Sequence, residues 1–470
     1  MARRRPVAAE IRGQMTRANA LLARRHIQYP AYKDSGVEWL GKIPGHWEAK
    51  PFKALLSRND SGAWGEDAVA EGTIVLRSTE QAVDGRWRVE APARRHLTAR
   101  EANQTRLEIG DLVVTKSSGS ELHIGKTSIV DKSVAGFGFS NFMQRLRVSR
   151  QNEPRYFWYL MNSPVAREQL VFLSSTTTGL GNLNASILGA IRVPSMPSPE
   201  QRAIVAFLDN ETEKIEELVA KKERLIDLLQ ERRAALITRA VTEGLDPNVP
   251  MKDSGVEWLG EIPAHWEVKR LWHLTPSDRR IMYGIVLPGP NVNDGVPIVK
   301  GGDVSPERLR LDRLSRTTFE IESDYVRSRL RGGDLVFAIR GSIGEVAVIP
   351  DELEGANLTQ DAARIAYTAA IHGPWLLQAL KSRRVFAQLE AGALGATIRG
   401  INIRDLKRAS VPVPPRVEQE AIAAFIDWKT ATIDSLISKV RDAIACLGEL
   451  RTALISAAVT GKIDVRGVVA

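Results

Sequence analysis

Two long stretches of the chain carry apolar residues at heptad spacing. The register of the first stretch is set by Leu208, Ile215, Leu229 and Leu236, with Leu218 and Leu225 between them. The register of the second is set by Ile426, Ile433, Val440, Leu447 and Leu454, with Leu436 and Leu450 between them. Apolar residues at this spacing share one face of an α-helix. The pattern predicts two helices of roughly 40 residues, each about 60 Å long.

The residues that flank these stretches predict where the helices begin and end. Ser198 is expected to be the N-cap of the first helix, with Pro199 at its first position and Gln201 as the capping-box partner. Gly244 is expected to end the first helix and Gly461 the second, because glycine takes up the left-handed backbone conformation of a helix C-terminus without steric cost.

An apolar stripe of this length needs a partner along the helix. The other helix is the obvious candidate, since two similar stripes in one chain are held at high effective concentration. Antiparallel pairing would place the domains that the helices follow at opposite ends. In the alternative, each helix packs only on its own domain, which leaves part of the stripe in water.

The chain is also an internal duplication. The segment from Lys33 to Gly41 recurs in order from Lys252 to Gly260, and Trp47 recurs as Trp266, an offset of 219. The starts of the two helices recur at an offset of 218, with Glu200 and Gln201 matched by Glu418 and Gln419. His46 and His265 recur with the tryptophan block and are expected to be structural. The tryptophans are expected to fix a chain segment onto a core, which we favour over base stacking.

The segments between the shared blocks, 49–192 and 268–410, have diverged. Short runs such as Leu112–Thr115 and Leu335–Ile339 indicate mixed sheet and helix. A few framework points survive, and we match Gly110, Asp111 and Leu112 with Gly333, Asp334 and Leu335, Asn141 and Gln144 with Asn357 and Gln360, and Asn184 with Asn402. The same scaffold is therefore expected to carry two different surfaces.

These patterns predict an α+β fold with a pseudo-twofold internal repeat, in which two tandem α/β domains are separated by a pair of long, antiparallel, coiled-coil helices. The expected segments are a basic N-terminal arm or helix at 1–30, domains at 31–192 and 251–410, and shared helices at 193–250 and 411–470.

Composition narrows the class of protein further. The net charge of +9 suits a polyanionic partner, although a merely soluble basic protein would show the same bias. The single cysteine, Cys446, excludes an internal disulfide and is expected to be a small core residue. No stretch has the apolar length of a membrane span, so we expect a cytoplasmic protein without membrane contact.

Catalytic signatures are not legible in the sequence. The Gly125-Lys126-Thr127 triplet lacks the earlier glycine of a phosphate-binding loop, and Pro414-Pro415 lacks the flanking residues of an adenine methyltransferase motif. Asp111 and Lys116 lack the second acid of a metal-dependent nuclease. We therefore expect no catalytic residue, no metal and no cofactor in this chain.

Polar and basic residues of the variable segments are the remaining candidates, because they can donate to phosphates and base edges. The first segment offers Arg94, Arg95, Arg100, Lys116, Ser117, Ser118, Thr176, Thr177 and Thr178. The second segment offers Arg308, Arg310, Arg340, Arg399 and Asn402.

Two divergent regions, each closed by a repeated helix that begins near Glu200-Gln201 or Glu418-Gln419, resemble the specificity subunit of type I restriction-modification systems. The Gly-x-Ile-Pro-x-His-Trp element at Gly41–Trp47 and Gly260–Trp266 carries the same resemblance, which covers nearly the whole chain. The resemblance implies that each variable region is a target-recognition domain that reads one half of a split, asymmetric double-stranded DNA target.

The resemblance also implies partners that carry the catalysis. Two modification subunits would bind S-adenosylmethionine and methylate adenine, and a restriction subunit that uses ATP and Mg²⁺ could join them. The family has no fixed motif for base contacts, so no residue is carried over. Two alternatives stay open on the sequence alone: an enzyme that acts on DNA by itself, and a coiled-coil scaffold without DNA contact.

Overall fold

The computed structural model describes residues 27–68, 71–174, 181–393 and 400–467, and two long helices dominate this part of the chain. Helix α5 spans Ser198–Glu243 and helix α10 spans Arg416–Val459, 46 and 44 residues. Each ends directly before or just short of a glycine with positive φ, Gly244 at 79° and Gly461 at 70°. The predicted helices and their ends are therefore present. No helix in the described ranges is long and apolar enough to cross a membrane.

The start of α5 differs from the predicted capping box. Pro197 accepts the first helical hydrogen bonds, so Ser198 already lies inside the helix. The Gln201 side chain accepts from the Glu153 N–H at 2.7 Å and donates to the Met196 carbonyl, just before the helix, at 3.0 Å. Gln419 makes the same pair of bonds, with the His372 N–H and the Pro414 carbonyl. The recurring glutamine therefore ties the helix start to the segments before it.

The chain divides into two compact units. Unit 1 contains the described residues up to Lys222 and those from Arg441 onward, and unit 2 is Glu223–Val440. Each long helix therefore contributes one half to each unit.

Unit 1 contains two four-stranded sheets in its described residues. Its helices are α1 Ala99–Thr105, α2 Pro154–Asn162, α3 Pro164–Ser174 and α4 Ala185–Ala190. Its strands are β1 Tyr32–Asp34, β2 Lys42–Pro44, β3 Glu48–Pro51, β4 Leu56–Ser61, β5 Glu66–Asp67, β6 Thr73–Leu76, β7 Ala93–His96, β8 Leu112–Thr115, β9 Ser117–Ser118, β10 Thr127–Ile129, β11 Gly138–Phe139, β12 Met143–Val148, β13 Gly181–Asn182 and β14 Arg192–Ser195. The sheet orders are β10-β8-β12-β4 and β11-β6-β7-β5, and three further strand pairs join β1 to β2, β9 to β13 and β3 to β14.

Unit 2 repeats the central four-stranded sheet of this plan, whereas its second sheet has three strands in the described residues. Its helices are α6 Phe319–Ser323, α7 Gly373–Lys381, α8 Arg383–Ala393 and α9 Ile403–Arg408. Its strands are β15 Met251–Asp253, β16 Glu261–Pro263, β17 Glu267–Arg270, β18 Met282–Tyr283, β19 Val296–Val299, β20 Ser315–Thr317, β21 Leu335–Ala338, β22 Val346–Val348, β23 Asn357–Leu358, β24 Ala362–Ile365 and β25 Ser410–Val413. The central sheet β22-β21-β24-β18 matches β10-β8-β12-β4 strand for strand. The predicted fold class and internal repeat are confirmed.

The long helices pack against each other within each unit, and they run antiparallel there. In unit 1 the first turns of α5 and the last turns of α10 share one core, and Arg451 lies 3.5 Å from Glu216. In unit 2 the last turns of α5 and the first turns of α10 share another core, and Arg233 lies 3.1 Å from Asp434. In each core the start of one helix lies beside the end of the other, so the two helices run antiparallel there.

The apolar stripe differs from the prediction at its intermediate positions. Leu218, Leu225 and Leu436 are 46%, 43% and 45% exposed. Val219 and Ile226 are more buried than their leucine neighbours, because they continue the three- and four-residue spacing from the buried Ile215. Cys446 is likewise exposed rather than part of the core, since it lies on the outer face of α10.

A buried tryptophan joins two helix ends in unit 1. The Trp47 indole N–H donates to the Glu200 carboxylate at 3.0 Å, and the Tyr29 hydroxyl donates to the same oxygen at 2.8 Å. His46 Nε2 lies 2.8 Å from the other carboxylate oxygen. Burial, with the adjacent carboxylate, raises the pKa of Tyr29, so its hydroxyl remains a donor. The start of α5 is thereby fastened to the tryptophan.

Unit 2 builds the same anchor from its own residues. The Trp266 indole N–H donates to Glu418 at 2.9 Å, and His265 Nε2 lies 2.7 Å from that carboxylate. The position of Tyr29 is Asn248 at the repeat offset, and the Glu418 side chain is 40% exposed where that of Glu200 is 7% exposed. The two histidines thus have the structural surroundings expected of them.

The same tryptophans touch the other helix end. Gly461 packs so closely that an added Cβ would overlap Pro44 and lie 3.0 Å from Trp47 Cη2. The Gly461 N–H bonds to the Ala458 carbonyl and the Lys462 N–H to the Ala457 carbonyl, the two bonds of a Schellman end. Gly244 lies against Trp266 in the same way, at 3.3 Å from an added Cβ.

The two anchors predict unequal losses of stability. Glu200→Ala should lower the free energy of unfolding by about 2–4 kcal/mol, since it leaves two buried donors unpaired. Water already reaches the Glu418 carboxylate, so Glu418→Ala should lower the free energy of unfolding by only about 1 kcal/mol. Urea denaturation of both full-length variants measures the difference, and equal losses would show that burial of the anchor is immaterial.

Two glycines, one within α10 and one just after it, predict changes in stability of opposite sign when each is replaced by alanine. Gly461→Ala forces a Cβ against Pro44 and Trp47 at positive φ, so it should lower the melting temperature. Gly448→Ala, in an exposed helical position with open space around it, should raise stability by up to about 1 kcal/mol. Thermal unfolding followed by circular dichroism tests both, and a neutral Gly461→Ala would contradict the close packing.

Candidate nucleic-acid interface

A buried aspartate explains why Gly-Asp-Leu recurs before the central strand of each unit. Gly110 and Gly333 have positive φ, and the aspartate that follows accepts a backbone N–H three residues back. Asp111 also accepts two hydrogen bonds from Arg147, at 2.6 and 2.9 Å. Asp334 accepts two from Arg279, at 2.9 and 2.7 Å. These aspartates hold the turn that starts β8 and β21 and are part of the frame.

A buried arginine recurs in each central sheet and was missed in the sequence. Arg145 is fully buried and donates to the Arg106 carbonyl at 2.8 Å, and Arg364 donates to the Arg329 carbonyl at 2.9 Å. The two guanidiniums tie β12 and β24 to the segments that lead into β8 and β21. The signal was present, because Arg145-Leu146 and Arg364-Ile365 match at an offset of 219.

The strand pairing corrects the predicted match of Asn141 and Gln144 with Asn357 and Gln360. Met143 pairs with Thr115, and Ala362 pairs with Ala338, the structural equivalent of Thr115. Equivalent residues of the two units are therefore 219 positions apart in this region, whereas the predicted match paired residues 216 positions apart. Asn141 is equivalent to Gln360.

The correct offset brings together a set of loop residues at one edge of each central sheet. In unit 1 the Lys116 carbonyl accepts from the Leu183 N–H at 2.7 Å, and the Lys116 N–H donates to the Phe142 carbonyl at 3.0 Å. Ser117 follows directly after this doubly bonded residue. In unit 2 the Ile339 carbonyl accepts from the Ile401 N–H at 2.9 Å, and the Ile339 N–H donates to the Asp361 carbonyl at 2.9 Å. We name these edges the rims. The rim of unit 1 is Ser61, Ser117, Asn141, Phe142 and Asn182, and the rim of unit 2 is Tyr283, Arg340, Gln360, Asp361 and Gly400.

The two rims present different side chains on the same backbone frame. Phe142 is 57% exposed in unit 1, and Tyr283 is 44% exposed in unit 2. Lys116 bends back to donate to the Ser61 hydroxyl at 2.6 Å, and partial burial lowers its pKa. Ser117 donates to the Asn182 side-chain oxygen at 3.2 Å, whereas its equivalent Arg340 is exposed.

The predicted arginines of unit 1 lie on or beside the second sheet. Arg94 and Arg100 are exposed. Arg95 is mostly covered, because its guanidinium stacks 3.7 Å from the Trp64 ring centroid and lies 2.5 Å from Asp67. Arg95 therefore has a packing role on β7.

The predicted residues of unit 2 also divide by role. Arg308 donates to the Gly302 carbonyl at 2.7 Å, and Arg310 lies 3.1 Å from Asp312. Asn402 caps α9 by accepting from the Arg404 N–H, as Asn184 caps α4 by accepting from the Ile187 N–H. The recurrence of this asparagine is explained by helix capping. Of the remaining candidates, Ser118 pairs with Gly181 across β9 and β13, while Thr176, Thr177, Thr178 and Arg399 lie outside the described residues.

Within residues 27–68, 71–174, 181–393 and 400–467, no group of three or more His, Cys, Asp or Glu side chains could hold a metal ion.

The neighbouring arginines of β7 predict a contrast between packing and exposure. Arg95→Ala removes the stacking on Trp64 and should lower the free energy of unfolding by about 1 kcal/mol. Arg94→Ala removes the same charge from an exposed position and should change it by less than about 0.5 kcal/mol. Chemical denaturation of the two variants makes the comparison, and a larger loss for Arg94→Ala would be inconsistent with this arrangement.

Comparison with protein families gives one match to part of the chain. Residues 95–226 match the model described as the type I restriction modification DNA specificity domain. This segment contains β8–β14, helices α1–α4 and the first half of α5.

Comparison with characterised proteins gives matches over longer stretches. The chain is 25% identical over 295 residues to the EcoBI specificity subunit of Escherichia coli, which covers 62% of each chain. It is 24% identical over 372 residues to the EcoKI specificity subunit of the same species, 75% of each chain. It is 22% identical over 437 residues to a putative MjaX specificity subunit of Methanocaldococcus jannaschii, 91% of this chain and 96% of the other.

Two solved structures share the fold. A chain from a study of complex assembly and conformational transition in the type I R-M system aligns with a TM-score of 0.64 at 17% identity, over 88% of this chain and 98% of the other. The HsdS subunit from Thermoanaerobacter tengcongensis aligns with a TM-score of 0.54 at 17% identity, over 90% of this chain and 98% of the other.

Proposed function

We propose that the chain is a specificity subunit of a type I restriction-modification system, the non-catalytic part that carries DNA specificity, and that it reads a bipartite, asymmetric duplex target. Unit 1 would read one half of the target and unit 2 the other. The EcoBI match spans 62% of the length of that relative, so the activity of the whole complex is part of the proposal.

The observation that carries the proposal is the contrast between frame and rim. The buried aspartate, the buried arginine, the capping asparagine and the tryptophan anchor recur in both units, although the arginine that binds the aspartate comes from β12 in unit 1 and from the segment before β18 in unit 2. At equivalent backbone positions the rim of unit 1 has Ser117 and Phe142, and the rim of unit 2 has Arg340 and Asp361. A frame that is kept while its exposed edge changes suits two readers of different sequences.

The proposal assigns the chemistry to partner subunits. Two modification subunits would bind S-adenosylmethionine and methylate adenine at positions set by this chain, and a restriction subunit that uses ATP and Mg²⁺ could join them in the cytoplasm. The helices α5 and α10 would serve as the spacer between the readers and as a surface for these partners. Exposed arginines such as Arg94, Arg100 and Arg308 would contact the phosphate backbone.

Methylome sequencing tests the proposal in cells. A strain with this gene and its modification subunits should carry one bipartite adenine-methylation motif with two different halves, and a deletion strain should lose that motif. An unchanged methylome in a strain that expresses the complete complex, or a palindromic motif, would refute the proposal.

Binding in solution separates a reader from a scaffold. The chain assembled with its modification subunits should bind the cognate duplex more tightly than a scrambled duplex, and the affinity should fall steeply as salt rises, because each neutralised phosphate releases counterions. Equal, salt-independent binding to both duplexes would identify a scaffold without specific DNA contact.

A further inference from the structure

The side chains that differ between the two rims indicate which base pair each unit would read, an inference that rests on the proposed function. Arg340 and Asp361 in unit 2 stand where Ser117 and Phe142 stand in unit 1. In each unit the two residues are joined by a backbone hydrogen bond, Arg340 N–H to the Asp361 carbonyl at 3.1 Å and Ser117 N–H to the Phe142 carbonyl at 3.3 Å. The two side chains of each pair therefore start from neighbouring, hydrogen-bonded positions of the backbone.

Arg340 is positioned by three glycines. A Cβ on Gly301 would overlap the Arg340 carbonyl oxygen, and Gly341 has a φ of 73° directly after the arginine. A Cβ on Gly400 would lie 3.3 Å from Arg340 Cγ, so the missing side chain makes room for the arginine stem. The backbone of Arg340 is fixed while its guanidinium end stays exposed. The backbone at Arg340 is therefore ordered before binding, and only the side chain is ordered when it binds.

The pair Gly400 and Arg340 replaces a different pair in unit 1. The residue at the position of Gly400 is Asn182, whose side-chain oxygen accepts from Ser117 at 3.2 Å. Unit 1 thus fills the same space with two small polar side chains that bind each other. Ser61, Asn141, Phe142 and Asn182 of this rim are exposed, and the unit 2 equivalents of Asn141 and Phe142 are the half-buried Gln360 and Asp361.

These side chains match different base pairs in the major groove. A guanidinium donates two hydrogen bonds to guanine O6 and N7, and a carboxylate accepts from cytosine N4. A side-chain amide bonds in two places to adenine N6 and N7, and a phenyl ring contacts the thymine methyl group. Arg340 with Asp361 therefore suits the two bases of one G·C pair, and Asn141 with Phe142 suits those of an A·T pair.

We propose that the rim of unit 2 selects a G·C base pair through Arg340 and Asp361, and that the rim of unit 1 selects an A·T pair through Asn141 and Phe142. The half-site of unit 2 then contains a specified guanine, and the half-site of unit 1 contains a specified adenine–thymine pair. Lys116, tied back to Ser61, is not a base reader.

The test uses the complete complex in cells, with methylation of every target variant counted by sequencing. Arg340→Ala should reduce discrimination at one guanine of one half-site by roughly ten- to a hundredfold, and it should leave the other half-site unchanged. Arg340→Gln should shift the preference at that position from guanine toward adenine. Asn141→Ala should relax one adenine in the other half-site only.

Two further variants separate base reading from charge and folding. Arg340→Lys keeps the charge but loses the planar fork, so it should lose discrimination while methylation of the original target persists. Arg270→Ala removes an exposed arginine of the same unit from β17, a strand of the frame, and should leave base preference unchanged.

The outcomes distinguish this inference from the proposed function. A wild-type complex without any bipartite motif would refute the proposed function itself. A wild-type motif that keeps its full base preference in Arg340→Ala, or loses methylation equally at all target variants, would overturn the inference alone. A motif with no G·C pair in the half-site that Arg340 affects would overturn it as well.

Discussion

The anchor between a buried indole and the carboxylate at a helix start is the interaction on which both units depend. Trp47 holds the start of α5 through Glu200 and touches the end of α10 at Gly461. Trp266 holds the start of α10 through Glu418 and touches the end of α5 at Gly244. Each unit is therefore closed by one helix that begins in it and one that ends in it. Because a helix start carries unpaired N–H groups, a carboxylate there is favoured electrostatically, and the indole donor fixes its position.

The long helices and the duplication could be predicted from the sequence because their signals are periodic or repeated. Heptad spacing and the Trp block do not depend on tertiary detail, and Gly244 and Gly461 end helices for a local steric reason. The stripe at Leu218 and Leu225 was misplaced because these leucines fit a heptad count as well as Val219 and Ile226 do. Only packing within each unit decides which face is covered.

The candidate site was harder to predict for a physical reason. Arginine and asparagine serve frames as well as ligands, and composition does not separate the two uses. Arg95 stacks on a tryptophan and Asn402 caps a helix, so each side chain has a role in the fold that its residue type did not reveal, and its predicted DNA contact stays a prediction. Arg145 and Arg364 recur at the offset of 219, but a repeated arginine does not by itself show that it is buried, and their carbonyl partners became visible only in the structure. The corrected offset of 219 needed strand pairing.

The rims indicate how such a frame can change its specificity without losing its fold. Ser117 with Asn182 and Arg340 with Gly400 fill the same space, so a large residue at one position requires a small one at the other. An arginine placed alone opposite Asn182 would crowd the asparagine, and a glycine placed alone opposite Ser117 would leave its hydroxyl without that acceptor. Base preference would therefore change by paired substitutions, while the buried aspartate, arginine and tryptophan beneath the rim stay fixed.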